Sequence, residues 1–233
     1  DPADREGALR QLEAGIDRAT RVMAQLLTLA RLEPDAGSRH MAQVDLLALA
    51  RQELAELTPL AFEHDQELAL EAGEGEEDSA GEEASAGGGG DDAGKGTRGG
   101  RDHGGADFRL VADAPGLGIL LQNLVSNAVQ HTPPGGRIRV VLEADAEAVV
   151  LRVQDSGPGV APELRGKVFE RFFRAGGGSG AGLGLSIVAR IVELHHGTIT
   201  LGDSPLGGLE VWVRLPRVTA GVGAGGGLGG SAD

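Results

Sequence analysis

Residues 153–197 read VQDSGPGVAPELRGKVFERFFRAGGGSGAGLGLSIVARIVELHHG, and this stretch places an acidic residue beside a first glycine loop. An apolar, strand-like run ends at Asp155, and Gly157 and Gly159 follow it within four residues. A carboxylate at a strand end can accept a hydrogen bond from a ligand amino group, and glycines let a flat ring approach the backbone. The same residues also fit a plain Asp-Ser-Gly turn that closes a strand. The loop therefore predicts a binding site only in combination with its surroundings.

A second glycine cluster lies further along this stretch, where GAGLGL at residues 180–185 precedes an apolar helix. The periodicity predicts that helix from about Leu183 to His196. Free amides and the positive end of the helix dipole make such a helix start a typical phosphate site. A flexible helix entry would use the same glycines, so Gly182 and Gly184 indicate phosphate binding only together with other motifs.

The helix predicted over residues 115–131 carries polar side chains at a helical spacing. Asn123 and Asn127 are four residues apart and therefore share one face, and His131 follows one turn later. A neutral amide oxygen can ligate Mg²⁺, which prefers oxygen ligands and shares them with phosphates. Two amides beside an apolar stripe are also ordinary helix surface, and a single histidine is more often structural. Their meaning depends on what the helix faces.

The rest of the ordered pattern predicts an α+β fold. A helix is expected from the N-cap Asp45 to about Leu57. Alternation of apolar and polar residues predicts strands in QELALEA (66–72), FRLVAD (108–113), RIRVVLEA (137–144), AVVLRVQD (148–155), GTITLGD (197–203) and GLEVWVRLP (208–216). These elements predict a two-layer α/β sandwich, a mixed sheet covered by helices on one face.

The two ends of the chain and one internal segment differ from this domain. A heptad seam formed by Leu9, Leu12, Ile16, Ala19, Met23, Leu26 and Ala30 predicts a helix within residues 1–34. A helix packed on its own domain would satisfy the seam, but the spacing favours half of a helical hairpin that dimerises into a four-helix bundle. Residues 73–107 and 217–233 are rich in small and polar residues, so we predict a disordered insertion and a disordered tail around a domain at 44–216.

Composition excludes several function classes. The chain of 233 residues has a formal net charge of −14, which disfavours nucleic acid and anionic membrane surfaces as partners. It has no cysteine, so disulfides and thiolate metal sites are excluded. No run of apolar residues is long enough to span a bilayer, so no direct membrane contact is expected of this chain.

The order of the motifs identifies a resemblance. Asn-x-x-x-Asn on a helix precedes Asp-x-Gly-x-Gly, then Phe-x-x-Phe-Phe-Arg, then Gly-x-Gly-Leu-x-Ile-Val and a downstream His-x-Gly. This series resembles the ATP-binding domain of sensor histidine kinases, in which the pieces are called the N, G1, F and G2 boxes. The resemblance covers residues 44–216 apart from the insertion. The helix within residues 1–34 resembles the second helix of that family's dimerisation and phosphotransfer hairpin.

The resemblance implies ATP and Mg²⁺ as ligands and assigns a role to each matching residue. Asn127 would hold the Mg²⁺ that bridges the phosphates, with Asn123 beside it, and Asp155 would accept from the adenine amino group. Arg174 would approach the terminal phosphate, so Asn127 and Arg174 are the catalytic candidates. The other expected contacts are His131, Gly157, Gly159, Arg171, Gly182, Leu183 and Gly184, under a lid at 175–181. Phe169, Phe172 and Phe173 are expected to pack under the lid rather than touch ATP.

The resemblance also implies an acceptor that this sequence does not show. The family phosphorylates a histidine in a context like His-Glu-Leu-Arg-Thr-Pro, and none of His40, His64, His103, His131, His195 and His196 lies in that context. In LAELTPLA at 54–61, Leu54 stands where the histidine would be. We therefore expect the acceptor helix and a membrane anchor upstream, with this part on the cytoplasmic side. A fragment and a natural short protein both remain open.

Partners and rival functions follow from the same resemblance. It implies a cognate response regulator and a homodimer formed through the hairpin. ATPases of the Hsp90, gyrase and MutL kinds share the Asn and Gly motifs, but they carry a Glu four residues before the metal-binding Asn. Here that position is Asn123, whose amide cannot take a proton from water. Phosphoryl transfer to protein is thus favoured over hydrolysis, and a non-catalytic ATP-binding or dimerisation module is the other alternative.

Overall fold

The computed structural model describes residues 15–16, 20, 23–28, 30, 40–74, 106–174 and 181–217. All described residues before position 31 are helical, in the segment where the heptad seam predicts a helix. Apolar side chains of this N-terminal helix are exposed, since Ile16, Met23, Leu26 and Leu27 keep 64%, 60%, 44% and 61% of their surface accessible. The rest of the predicted helix, residues 75–105 of the predicted insertion and residues 218–233 of the predicted tail lie outside the described residues.

A five-stranded mixed sheet and three helices form the domain, with two short 3₁₀ helices at Pro162–Leu164 and Lys167–Phe169. Its elements are β1 (Ala42–Asp45), α1 (Leu46–Glu63), β2 (Glu67–Glu74), β3 (Arg109–Ala112), α2 (Ala114–His131), β4 (Arg137–Ala144), β5 (Ala148–Asp155), α3 (Gly184–Leu194), β6 (Thr198–Asp203) and β7 (Leu209–Pro216). The strand order is β2-β4-β5-β7-β6, and β2 runs parallel to β4 while the other neighbours are antiparallel. β1 and β3 form a separate antiparallel pair.

The helices cover one face of this sheet, as the sequence predicts. The apolar stripe of α2 is buried, and Leu120, Leu121 and Val125 are fully inaccessible. Facing it are alternate residues of the central strands, among them Leu142, Leu151 and Val213. On β7, Val211, Val213 and Leu215 point into the core, whereas Trp212 and Arg214 are exposed on the opposite, open face. Burial of an aliphatic side chain stabilises a fold by about 1.5–3 kcal/mol, so this interface dominates stability.

The helix α1 begins where the sequence predicts and ends later. The Asp45 carboxylate caps it by accepting a hydrogen bond from the Ala48 amide at 3.0 Å. The predicted end near Leu57 is wrong, because the helix continues through Pro59 to Glu63. Proline removes one backbone hydrogen bond, but Ala61 beyond it is 1% exposed in the core. Packing of this last turn outweighs the lost bond.

The boundaries of the domain lie slightly outside the predicted ones. Strand β2 runs to Glu74, so the first two residues of the predicted insertion pair with β4. At its other end, the Asp107 carboxylate accepts from the Arg109 amide at 3.1 Å. Arg217, the first residue of the predicted tail, donates its backbone amide to the Glu147 carbonyl at 2.7 Å. Backbone pairing therefore extends the domain by a few residues.

None of the described helices has the length and hydropathy needed to span a membrane.

Candidate functional site

A cavity of about 670 Å³ lies between α2, the ends of β5 and β7 and the start of α3. Predicted site residues on its wall are Asn123, Asn127, His131, Asp155, Gly159, Arg174, Gly182 and Gly184. Gly157, Arg171 and Leu183 do not line it. Ala24, Gln25 and Thr28 of the N-terminal helix also lie on the wall. Motifs that are up to about sixty residues apart in the sequence thus meet at one site.

The two asparagines of α2 meet the first residue of α3. A Cβ atom added to Gly184 would lie 3.1 Å from Asn127 Nδ2 and 3.2 Å from Asn123 Oδ1. Asn123 Nδ2 donates to the Ile119 carbonyl of its own helix at 2.8 Å, which directs Oδ1 away from that helix. A side chain at position 184 would be in tight contact with these amides, so the glycine keeps the start of α3 close to both asparagines.

Asp155 also lines the cavity and is buried, with 6% of its surface exposed. Its Oδ1 accepts from the Gly157 amide at 2.8 Å and from the Leu209 amide at 3.1 Å. Burial raises the pKa of this carboxyl above its usual value, while those two hydrogen bonds and the nearby His131 act in the opposite direction. Since both amides bond to Oδ1, Oδ2 is the oxygen that can accept from a ligand.

The two glycines of the first loop have different reasons to be glycine. Gly159 lines the cavity and has a φ of +68°, a left-handed conformation that side chains disfavour. Gly157 does not line it, and a Cβ atom there would lie 2.7 Å from the His131 carbonyl oxygen. The expectation that Gly157 leaves room for a ring is therefore not what the packing shows. Its missing side chain lets the loop pack against the end of α2.

The second glycine cluster also divides between packing and the cavity. Gly182 has a φ of +70°, and its carbonyl accepts from the Phe172 amide at 2.8 Å. The resemblance predicts that Leu183 contacts the ligand, but its side chain is fully buried in the hydrophobic core, and its backbone carbonyl accepts from the Ile187 amide of α3 at 3.0 Å. Of these three residues, only Gly184 lies beside the two asparagines, and it is the first residue of α3. Of the lid predicted at 175–181, residues 175–180 lie outside the described residues, and Ala181 lines the cavity.

Only some of the predicted cationic and aromatic site residues line the cavity. Arg174 and His131 are exposed and line the cavity, whereas Arg171 is exposed and does not. Among the phenylalanines that are expected to pack under the lid, Phe173 lines the cavity. Phe172 is 63% exposed and has a φ of +66°.

The β6–β7 turn contributes site residues that the sequence did not predict. The Leu209 amide holds Asp155, and the Gly208 amide donates to the Asp155 carbonyl at 3.1 Å. A Cβ atom on Gly208 would come within 2.1 Å of Asp155 Oδ1 and 2.5 Å of the Gly157 amide nitrogen. Paired glycines directly before a strand were the only available signal, and they are equally common in ordinary hairpin turns.

Comparison with known proteins gives the fold and site a family context. Residues 112–219 match the family described as histidine kinase-, DNA gyrase B-, and HSP90-like ATPase. The sensor protein kinase PmrB of Pseudomonas aeruginosa is 37% identical over 221 residues, which cover 93% of this chain and 39% of PmrB. The sensor protein QseC of Escherichia coli K12 is 33% identical over 217 residues, covering 91% and 40%. The chain thus spans about two fifths of the length of these relatives.

Solved structures give the same picture. A mycobacterial sensor histidine kinase, MprB, is similar with a TM-score of 0.56 and 26% identity, covering 76% of this chain and 97% of that one. Full-length ShkA in complex with AMPPNP is similar with a TM-score of 0.67 and 27% identity, covering 91% of this chain and 39% of ShkA. The predicted mixed sheet covered by helices is confirmed both by the strand order and by this likeness.

Proposed function

The chain belongs to the sensor histidine kinase family and contains its ATP-binding catalytic domain, and we propose that it binds Mg·ATP in the cavity and donates the γ-phosphoryl group to a histidine. The observation that carries this proposal is that Asn123 and Asn127 meet Gly184 in the same cavity that holds Asp155. We call Asp155, Gly159 and Leu209 the base end, and Asn123, Asn127, Arg174 and Gly184 the phosphate end.

At the base end, the carboxylate of Asp155 supplies selectivity for adenine. Its Oδ1 is occupied by two backbone amides, so Oδ2 accepts from the exocyclic amino group of the base. The apolar wall beside it includes Val153, Val211 and Ile187, which suits the faces of a purine. A nucleobase with an oxygen instead of the amino group would place acceptor against acceptor, which costs free energy in a buried site.

At the phosphate end, the residues fit a metal that is shared with the substrate. Asn127 offers a neutral oxygen ligand beside Asn123, and Mg²⁺ is usually held by one or two protein oxygens together with phosphates and waters. No group of three or more acidic, histidine or cysteine side chains among the described residues could hold a metal by itself. When bound, Mg²⁺ would neutralise phosphate charge. Asn127 and Asn123 are the residues that would hold it.

Transfer itself needs positioning and charge neutralisation more than covalent chemistry by the protein. The bond between the γ-phosphorus and the β–γ bridging oxygen breaks, a bond from a histidine nitrogen to that phosphorus forms, and ADP leaves. Arg174 lies on the cavity wall where it can neutralise developing charge. The free amides at the start of α3 bind the phosphates, and the half-buried asparagines orient them.

The acceptor histidine is proposed to lie in a part of the protein that this sequence does not show. His195 is buried, with Nε2 accepting from the Asp113 amide at 3.0 Å and Nδ1 lying 2.7 Å from the Ile191 carbonyl oxygen, so it holds α3 to the start of α2. His64 follows α1 as its C-cap. We further propose that the N-terminal helix pairs in a dimer through its exposed apolar residues, that a response regulator receives the phosphoryl group, and that the whole protein is anchored in the membrane with this part cytoplasmic.

Hydrolysis of ATP is the weaker alternative. Asp155 is the only carboxylate among the described residues that line the cavity, and it lies at the base end. An ATPase needs a general base within hydrogen-bond reach of the attacking water, and none of the phosphate-end side chains, those of Asn123, Asn127 and Arg174, can take a proton from water. A non-catalytic ATP-binding module shares the same cavity and is separated from a kinase only by the transfer assay.

The test restores the acceptor. Joined behind a helix carrying His-Glu-x-x-Thr-Pro, the chain should incorporate acid-labile, base-stable label from γ-labelled ATP, while the chain alone should not. Asn127→Ala should abolish labelling, whereas Arg171→Ala, which changes a residue outside the cavity, should leave it intact. Sustained release of phosphate without phosphoprotein would favour the ATPase, and ATP binding without either product would favour the non-catalytic module.

A further inference from the structure

The open face of the sheet carries a buried polar pair directly behind the base end. Gln154 and Glu210 are cross-strand partners on β5 and β7, and they are 4% and 8% exposed. Gln154 Nε2 donates to Glu210 Oε1 at 2.6 Å. Each residue is the immediate neighbour of a base-end residue, since Asp155 follows Gln154 and Leu209 precedes Glu210.

This pair is the last rung of the β5–β7 ladder. The register runs from Ala148↔Pro216 to Gln154↔Glu210, and beyond it one backbone hydrogen bond follows, from the Gly208 amide to the Asp155 carbonyl at 3.1 Å. The hydrogen bond from the Leu209 amide to Asp155 Oδ1, at 3.1 Å, also crosses this end of the ladder. Ends of ladders open at lower free energy than their centres. A side-chain bond at the last rung therefore limits movement where Asp155 is positioned.

Stability alone does not account for a polar pair at this place. The Gln154 Oε1 atom is buried and has no hydrogen-bond partner. An unsatisfied buried acceptor lowers stability, and two apolar residues of similar shape are often as stable or more so. β-Branched residues such as valine pair well across strands. Because the unsatisfied acceptor lowers stability, we infer that the hydrogen bond between these two side chains serves a role other than stability.

We propose that Gln154 and Glu210 are positioning residues for adenine recognition, and that their hydrogen bond fixes β7 against β5 so that Asp155 Oδ2 faces the amino group of the base. The proposal rests on the proposed ATP binding. It assigns no contact between the pair and the nucleotide, because both side chains lie on the face of the sheet opposite the cavity. Substitution of the pair should therefore change selectivity for the base and should not change binding of the triphosphate.

The experiment compares ATP with purine riboside triphosphate, which carries hydrogen in place of the amino group and cannot use Asp155. In Gln154→Ala, ATP affinity measured by calorimetry should fall about fivefold, the equivalent of one hydrogen bond, while affinity for the analogue should stay unchanged. In Gln154→Val with Glu210→Val, the melting temperature should stay equal or rise, yet the same selectivity should be lost. An equal loss for both nucleotides would overturn the proposal, as would full selectivity in the valine pair.

A reversed pair provides rescue. Gln154→Glu alone places two carboxylates opposite each other and should reduce ATP selectivity more than Gln154→Ala. Adding Glu210→Gln returns one amide-to-carboxylate hydrogen bond and should restore selectivity to within about twofold of wild type. Recovery of the melting temperature without recovery of selectivity would show a merely structural pair and overturn the proposal.

A matched control lies two residues along the same strands. Arg152 and Trp212 are cross-strand partners on the same face, with the guanidinium 4.9 Å from the ring centre. Trp212→Ala should lower the melting temperature and leave the ratio of the two affinities unchanged. If wild-type protein binds neither nucleotide, the proposed function fails. If it binds ATP and only the selectivity results disagree, the positioning role alone fails.

Discussion

The base end and the phosphate end of the cavity are built in different ways. At the base end Asp155 is 6% exposed, and two backbone amides hold its Oδ1. At the phosphate end Arg174 is exposed, and the ligand-facing amides of Asn123 and Asn127 are half-buried side chains on a helix. Under the proposed function, this difference implies that backbone amides hold the group that selects the base, whereas partly and fully exposed side chains take part in binding the phosphates.

The largest effect should come from a side chain forced into the base end. Gly208→Ala would place Cβ 2.1 Å from Asp155 Oδ1 and 2.5 Å from the Gly157 amide nitrogen. Relieving this overlap must shift the backbone, so the free energy of unfolding should fall by about 3 kcal/mol and ATP binding should be lost. Denaturant unfolding and calorimetry measure both. Gly166→Ala, which meets no atom within 4 Å, is the control. Unchanged values for Gly208→Ala would contradict the packing described above.

Asp155→Asn should separate affinity from stability at the base end. The amide oxygen can still accept from the Gly157 and Leu209 amides, but its amino group now faces the adenine amino group. ATP affinity should fall by about 1–3 kcal/mol. The melting temperature of the nucleotide-free protein should not fall, because a buried charge is removed. Equal ATP affinity in both proteins would remove Asp155 from the site.

At the phosphate end, the expected losses are smaller and depend on salt. Arg174→Gln removes an exposed charge beside the cavity, so ATP affinity should fall by about 1 kcal/mol at low ionic strength and by less at high salt. Arg171→Gln changes a residue of the same type three positions away that does not line the cavity, and its affinity should match wild type. ATP titrations at two salt concentrations measure these affinities. Equal affinities for the two variants would show that Arg174 does not contact the phosphates.

The smallest effect should be a pH dependence of stability at the base end. Burial raises the pKa of Asp155 above 3.8 in the folded state. The folded state therefore binds more protons than the unfolded state in the window from 3.8 up to that raised value, and stability contributed by this group falls as pH rises through the window. Asp155→Asn lacks this dependence.

The melting temperature of the variant minus that of wild type should thus be greatest at neutral pH and should shrink as pH falls towards 3.8. Asp107 and Asp145, whose pKa values are lowered by hydrogen bonds, are present in both proteins and cancel in the difference. A difference that grows on acidification would show that the sign is wrong.

The sequence predicted the elements of the fold well where local chemistry decides them. The hairpin strands at 137–144 and 148–155 have the predicted bounds, and Asp45 caps α1 as predicted. The end of α1 was wrong because proline is a strong local signal, whereas the burial of Ala61 depends on a distant partner. Leu183 is a predicted site residue because it lies between two glycines of a motif, but its side chain is buried in the hydrophobic core.

Within this protein, the sequence by itself determined the order of the motifs: the two asparagines, the acid and the glycine clusters stand in the order that resembles the sensor histidine kinases. Only the tertiary structure decided how they are used. The β6–β7 turn reaches Asp155 from more than fifty residues away, so no local pattern could show that the Leu209 amide orients the carboxylate or that Gly208 must lack a side chain. Periodicity and caps act between near neighbours in the chain, whereas close approach and burial depend on which surfaces meet after folding.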